Sequence, residues 1–496
     1  MNRTALYVIV NVLFTLAAMA GAAQHPGVAH PLYVVLLFAL CTTPVFEAKA
    51  VNGPYSLLVL WSFDYFIMYG ALDFRNLLLG KDELFSQNDR LFFTSGEWVI
   101  IAGAVLVQVA YRLACRRVSA ATPASPPMNW SERTLLLVGI PLWVISSKMC
   151  WDFSVHLLVA RSNVATSQVF AAMGGVKVAI YMLARMAQPL SIVILAYLQC
   201  RYKRPYMIPV LAGVVLFQLL FGFVIDTKSD ALIGGVLVVL TNFLVNGRIP
   251  KVWGAAMCLL IVVGFPILQA NRVVRDERNE NPTVASTHIV EGLQRALAAT
   301  GRTSKGSART QSALERSTTK SSVEIIVRGT ANGHAFQNGR TIAPLITAFI
   351  PRLLWSDKPS IATGQILNKE FNISAGADTY ISPSHLGDLY WNFGWGGVVV
   401  GMSVIGALLG FLAAKFNLAE AGTVTRLLMT LITVRLLIMG SEGEIAVQYV
   451  VWMRSIVGIG LLHWLFARTP WSDKPAATVS LQPAHASPLA FPNLLR

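Results

Sequence analysis

Apolar runs of about 20 residues, separated by short polar stretches, constrain this chain more than any other feature. Buried in lipid, such runs satisfy their own N–H and C=O groups only as helices, so the expected fold class is an all-α polytopic integral membrane protein. The runs fall near residues 4–22, 32–48, 55–73, 96–114, 134–151, 176–198, 206–225, 230–246, 252–270, 393–414, 424–440 and 445–466, which predicts about twelve transmembrane helices. A chain that is 54% hydrophobic and only 13% charged is no ordinary soluble domain. The first run follows an early Arg3 in the manner of a signal peptide, but its small-residue cleavage region is weak and further spans follow, so it reads as the first helix.

Basic residues set the orientation. With the amino terminus cytoplasmic, the inner loops hold Lys49, Arg116, Arg117, Arg133, Arg201, Lys203, Arg204, Arg248, Lys251, Lys415 and Arg426, and the tail holds Arg468 and Lys474. That is the positive-inside pattern, with both termini cytoplasmic. The net charge of +15 is spread over short loops instead of one patch, which excludes nucleic acid as a partner. Cys41, Cys115, Cys150, Cys200 and Cys258 sit in or beside apolar runs without a CxxC pair, so neither a disulfide framework nor a zinc site is expected. The inner loop 115–133, containing ATPASPP, and the Pro- and Ala-rich tail 467–496 read as disordered. No GxxxxGK[ST] loop occurs, so chemistry driven by cytoplasmic nucleotide is excluded.

Four blocks result: spans one to nine over 1–270, an extracytoplasmic loop over 271–392, spans ten to twelve over 393–466, and the tail. Within the loop, residues 286–300 have helical apolar spacing, 301–320 is a basic Ser/Thr-rich stretch expected to be disordered, and SVEIIVRG predicts a short helix. The stretch PLITAFIPRLLW is too short to span and is expected to lie on or dip into the outer leaflet.

Arg272, Arg275, Arg328, Arg340, Arg352, Lys358 and Lys369 concentrate cations on this outer face. The planar guanidinium matches phosphate oxygens, so the cluster suits a lipid-linked diphosphate; contact with anionic headgroups is the plainer alternative. Arg352 and Lys358 are pinned between Pro351 and Pro359 beside Trp355. In SPSHLGDLYWNFGW, His385 and Asp388 stand three residues apart, a spacing that puts a titratable imidazole and a carboxylate on one helical face as candidate proton acceptors. The competing reading has His385 capping a turn and Asp388 favoured by the helix dipole. Asp64, Arg185, Arg435 and Arg454 lie within spans, each costing about 2.5–3.5 kcal/mol if central, so they face the bundle interior. Arg185 is a candidate diphosphate contact, and an Asp64–Arg454 ion pair is the structural alternative. The polar turn DTKSD reads most simply as structural, with a second phosphate contact as its alternative, and the Glu442–Glu444 turn reads as structural.

Pro351, Arg352, Trp355, Lys358 and Pro359, followed by Gly387, Asp388, Tyr390, Phe393, Gly394 and Gly397, resemble the loop end and helix junction of bacterial oligosaccharide repeat-unit polymerases of the O-antigen polymerase (Wzy-like) family. DTKSD departs from the Arg-Gly turn often found at the matching hairpin of that family. The resemblance implies a GT-C-like bundle in the bacterial inner membrane, using a polyprenyl-diphosphate-linked oligosaccharide without metal or cofactor. It assigns Arg352, Lys358, Arg272, Arg275, Arg340 and Arg185 to the diphosphate and His385 or Asp388 to deprotonation of the acceptor. It further implies a chain-length regulator and a flippase as partners. A glycan ligase and a polysaccharide transporter are the alternatives.

Overall fold

The computed structural model describes residues 3–27, 29–47, 57–80, 93–119, 130–161, 175–224, 228–246, 251–259, 319–347, 350, 355, 363–373, 381–415, 427–433 and 443–467, and every regular element among them is a helix. The first four helices are α1 (Arg3–Gln24), α2 (Pro31–Glu47), α3 (Leu57–Tyr69) and α4 (Ala71–Leu79). Next come α5 (Ser95–Ser119), α6 (Glu132–Arg161), α7 (Gly175–Tyr202), α8 (Met207–Val224), α9 (Lys228–Asn246) and α10 (Lys251–Leu259). The last third adds α11 (Lys320–Ala331), α12 (Pro344–Thr347), α13 (Thr363–Phe371), α14 (Ser384–Lys415) and α15 (Ile445–Ala467).

The long helices coincide with the apolar runs and continue through Pro44 in α2, Pro141 in α6 and Pro189 in α7, because neighbouring helices and local adjustment re-satisfy the freed backbone groups of a membrane helix. α5 begins with a capping box: the Glu97 N–H donates to Thr94 Oγ1 at 3.1 Å and the Thr94 N–H donates to Glu97 Oε2 at 3.0 Å. α4 ends at Gly80, whose φ of 65° is the left-handed cap. Five helices among the described residues are long and apolar enough to cross a membrane, and six if α3 and α4, bent by 47° at Gly70, form one span. α2, α8 and α9 are shorter apolar helices.

Apolar side chains cover the outside as well as the core. Val105, Val109 and Leu113 form an exposed i, i+4, i+8 stripe on α5, and Val400, Val404 and Phe411 an exposed face on α14. A surface this apolar needs lipid around it, so the protein is membrane-embedded.

The most extensive helix pairing among the described residues is α5 against α14. A Cβ on Gly406 would lie 2.3 Å from the Val107 carbonyl oxygen, and one on Gly410 would lie 2.4 Å from that of Tyr111. Two glycines one turn apart thus let the backbones touch, the small-residue packing of membrane helices. α6 packs on α7, and α9 on α7 and α8.

α14 is two rods. Phe393 (φ −138°, ψ 16°) and Gly394 (φ 59°, ψ −144°) leave helical geometry and separate an outer segment, 384–392, from the apolar segment that packs on α5. The expected span at 393–414 therefore begins at the break, and its helix continues nine residues further toward the loop. The expected helix in SVEIIVRG is α11, but it starts at Lys320, which is helical and buried although it belongs to the stretch expected to be disordered; residues 301–318 lie outside the described residues. The amphipathic segment 286–300 lies outside the described residues, and of PLITAFIPRLLW only 344–347, 350 and 355 are described.

Candidate functional site

The outer rod of α14 starts at Ser384, which adopts the left-handed region (φ 64°) and caps the helix by accepting the Gly387 N–H on Oγ at 3.1 Å. Helical geometry from that start sends Leu386 and Trp391 into the core, both fully buried. Asp388 is carried inward with them and has no exposed surface.

A buried carboxylate needs donors, and three elements supply them. Thr341 Oγ1 donates to Asp388 Oδ1 at 2.5 Å. Asn392 Nδ2 lies 3.1 Å from the same oxygen, 2.7 Å from the Asp388 carbonyl and 2.5 Å from Thr341 Oγ1. The Ile445 N–H, at the first turn of α15, donates to Oδ2 at 3.4 Å. Asp388 thereby joins the segment after α11, the outer rod of α14 and the last helix.

The segment 332–343 is threaded over this network. At the helix break, the Trp391 carbonyl accepts from the Gln337 N–H at 2.9 Å, and Asn392 Oδ1 accepts from the Gly339 N–H at 2.8 Å. Gly339 has a φ of 87°, which a side chain rarely adopts, so the backbone can turn down onto Asn392. Gln337 Nε2 also donates to Glu370 Oε2 of α13 at 2.8 Å.

His385 is 5% exposed, and its Nε2 has no hydrogen-bond partner. Its ring faces Tyr449 of α15, centroids 6.0 Å apart. The spacing of His385 and Asp388 leads to no mutual hydrogen bond: the carboxylate's donors are Thr341, Asn392 and Ile445. Glu444, read from the sequence as a structural turn, is buried beside this network at the start of α15 and accepts the Gly364 N–H on Oε1 at 3.2 Å. Like charges at this spacing make Glu444 part of the electrostatics of Asp388.

Of the expected diphosphate contacts, Arg340 is exposed and immediately precedes Thr341. The exposed rings of Phe336, Phe393 and Trp395 form an aromatic rim, with Tyr390 6.4 Å from Phe336 and 6.3 Å from Trp395 between centroids, and a Cβ on Gly339, the residue before Arg340, would lie 3.2 Å from the Phe393 ring. Arg185 is half-buried on α7 with its guanidinium 5.7 Å over the Phe221 ring of α8. Arg272, Arg275, Arg352 and Lys358 lie outside the described residues. Asp64 is buried in α3, while Arg435 and the side chain of its expected partner Arg454 also lie outside the description.

Thr341, Asn392 and Glu444 were not singled out as site residues. Asn392 had a signal, standing four residues after Asp388 on one helix; Thr341 and Glu444 are 47 and 56 positions away, and nothing local announces them. Among the described residues no group of His, Cys, Asp and Glu is arranged to hold a metal ion. No family model, no curated protein and no solved structure matches the chain.

Proposed function

We propose that this chain is a polymerase that joins polyprenyl-diphosphate-linked oligosaccharide repeat units into a surface polysaccharide at the outer face of a bacterial inner membrane. In this reading about twelve spans hold the loop 271–392 outside, and both termini are cytoplasmic. The observation that carries it is the enclosed Asp388–Thr341–Asn392 network, lying where a broken helix enters an apolar span, beneath an exposed cation and an aromatic rim. Aromatic rings at the water–lipid level and an Arg beside them suit a substrate with a sugar and diphosphate head on a lipid tail.

The reaction forms a bond between an acceptor hydroxyl oxygen and the donor's anomeric carbon and breaks that carbon's bond to the diphosphate. The hydroxyl proton passes to Asp388 or His385, and the diphosphate departs on its lipid, its charge met by Arg340, Arg352, Lys358, Arg272, Arg275 and Arg185. Asp388 Oδ2, with one long donor, is the less engaged carboxylate oxygen.

Purified protein supplied with a polyprenyl-diphosphate-linked repeat unit, without nucleotide or metal, is expected to yield longer glycans resolved on a gel. No elongation by the wild type rejects the reading. Short glycans accumulating in a deletion strain favour a polymerase, whereas full-length glycans left on the lipid carrier favour a ligase.

A further inference from the structure

A second charged cluster lies apart from the acid network. Lys320, the first residue of α11, projects its ammonium into the bundle. Its Nζ donates to Asp73 Oδ2 on α4 and to Glu97 Oε1 on α5 at 2.9 Å. The same atom lies 3.6 Å from Glu324 Oε1, one turn along α11, and 4.5 Å from the Tyr33 ring centroid on α2. Asp73, Glu97, Glu324 and Tyr33 are the titratable groups facing Lys320 from these four elements among the described residues.

One ammonium thus meets three carboxylates, and a buried excess of negative charge is costly. The relief is a proton on the carboxyl that the ammonium holds least closely, which is Glu324 at 3.6 Å against 2.9 Å for Glu97 and a shorter contact for Asp73, and its exposure gives that proton a route. The Asp73 and Glu97 side chains are 2% and 3% exposed, whereas that of Glu324 is 18% exposed. Burial pushes the Glu324 carboxyl above its ordinary range, Lys320 pulls it back in part, and Asp73 and Glu97 add to the rise. Burial alone would lower Lys320, but Asp73, Glu324 and Glu97 hold it well above its ordinary value, so it stays charged.

We propose that Lys320, Asp73, Glu97 and Glu324 form a proton-set latch, in which one proton taken up at Glu324 tightens the hold of α11 on the membrane bundle and its loss loosens it. The latch reaches the candidate site through packing: Ile326 of α11 lies 3.0 Å from where a Cβ on Gly387 would stand, one residue before Asp388. For a carboxyl raised in the folded state, the stabilisation is complete below its ordinary value near 4.5 and is lost as pH rises through the folded value. The latch stands whatever the reaction is; its influence on glycan transfer rests on the proposed function.

The test is hydrogen exchange at the amides of residues 323–331 in the full chain in lipid nanodiscs, from about pH 5 to about pH 8, corrected for the intrinsic rate of exchange at each pH. Protection of α11 is expected to fall with rising pH, by at most about tenfold per pH unit for a single group. Glu324→Gln is expected to give high, pH-independent protection, and Glu324→Ala a flat profile as well. A flat profile in the wild type, or the wild-type slope persisting in either variant, overturns the latch. Failure of the wild type to elongate glycan at every pH rejects the enzymatic reading and leaves the exchange result standing.

Discussion

Thr341 and Asp388, 47 positions apart in sequence, are joined by a 2.5 Å hydrogen bond between fully enclosed side chains, and this bond fastens the loop to the outer rod of α14. Thr341→Val keeps the shape and removes the hydroxyl, leaving Asp388 Oδ1 with the 3.1 Å contact from Asn392 Nδ2 in place of two donors. Such a loss costs about 1–3 kcal/mol. Denaturant or thermal unfolding of the purified protein in detergent measures it; an unchanged midpoint contradicts the network as drawn.

Asp388→Asn keeps the volume and removes the proton acceptor. Under the proposed reaction it lowers glycan elongation by about 10²–10⁴-fold, and Arg340→Ala lowers it by about 10²–10³-fold if that cation meets the departing diphosphate. Initial rates in the purified assay check both, and wild-type rates in both variants remove these two residues from the mechanism.

Gly406→Val places a side chain where the Val107 carbonyl oxygen stands 2.3 Å away. The neighbouring atom is backbone, so α5 and α14 must separate, at a cost of about 1–3 kcal/mol or more. Cysteines introduced at Val105 and Val404, on the lipid-facing sides, provide spin labels whose separation should lengthen in the variant.

Lys320→Met removes the ammonium that meets three carboxylates. Breaking a buried ion pair from one side costs about 3–5 kcal/mol. Unfolding midpoints or limited proteolysis around 319–331 read the loss, and pairing the change with Glu324→Gln should restore part of it.

Ala335 is exposed in the segment over the network. A cysteine there, in a background lacking the five natural ones, should react with a membrane-impermeant maleimide added outside intact spheroplasts. Reaction only after the inner face is opened reverses the proposed orientation.

The helical membrane class was legible because an apolar helix reports itself within about 20 residues, whereas the expected span from 393 foresaw neither the break in α14 nor the helical segment before it. α11 was legible for the same reason, from Val323, Ile326 and Val327 on one face. The site was legible only as far as one helix carries it, in His385 and Asp388. Its partners are set by tertiary contacts that leave no local trace: Glu444 is 80 positions from Gly364, and Lys320 is 247 from Asp73. Lys320 looked like the end of a solvated basic stretch, because a sequence window records its neighbours along the chain and not the carboxylates waiting for it in α4 and α5.

The break at Gly394 has a mechanical meaning. Its backbone angles lie where almost only glycine is comfortable, so the joint is fixed by the lack of a side chain and not by what surrounds it. A break at that level gives the two halves of the rod separate axes. The carboxylate six residues above the break thereby belongs to a rod whose direction is not that of the shaft beneath it.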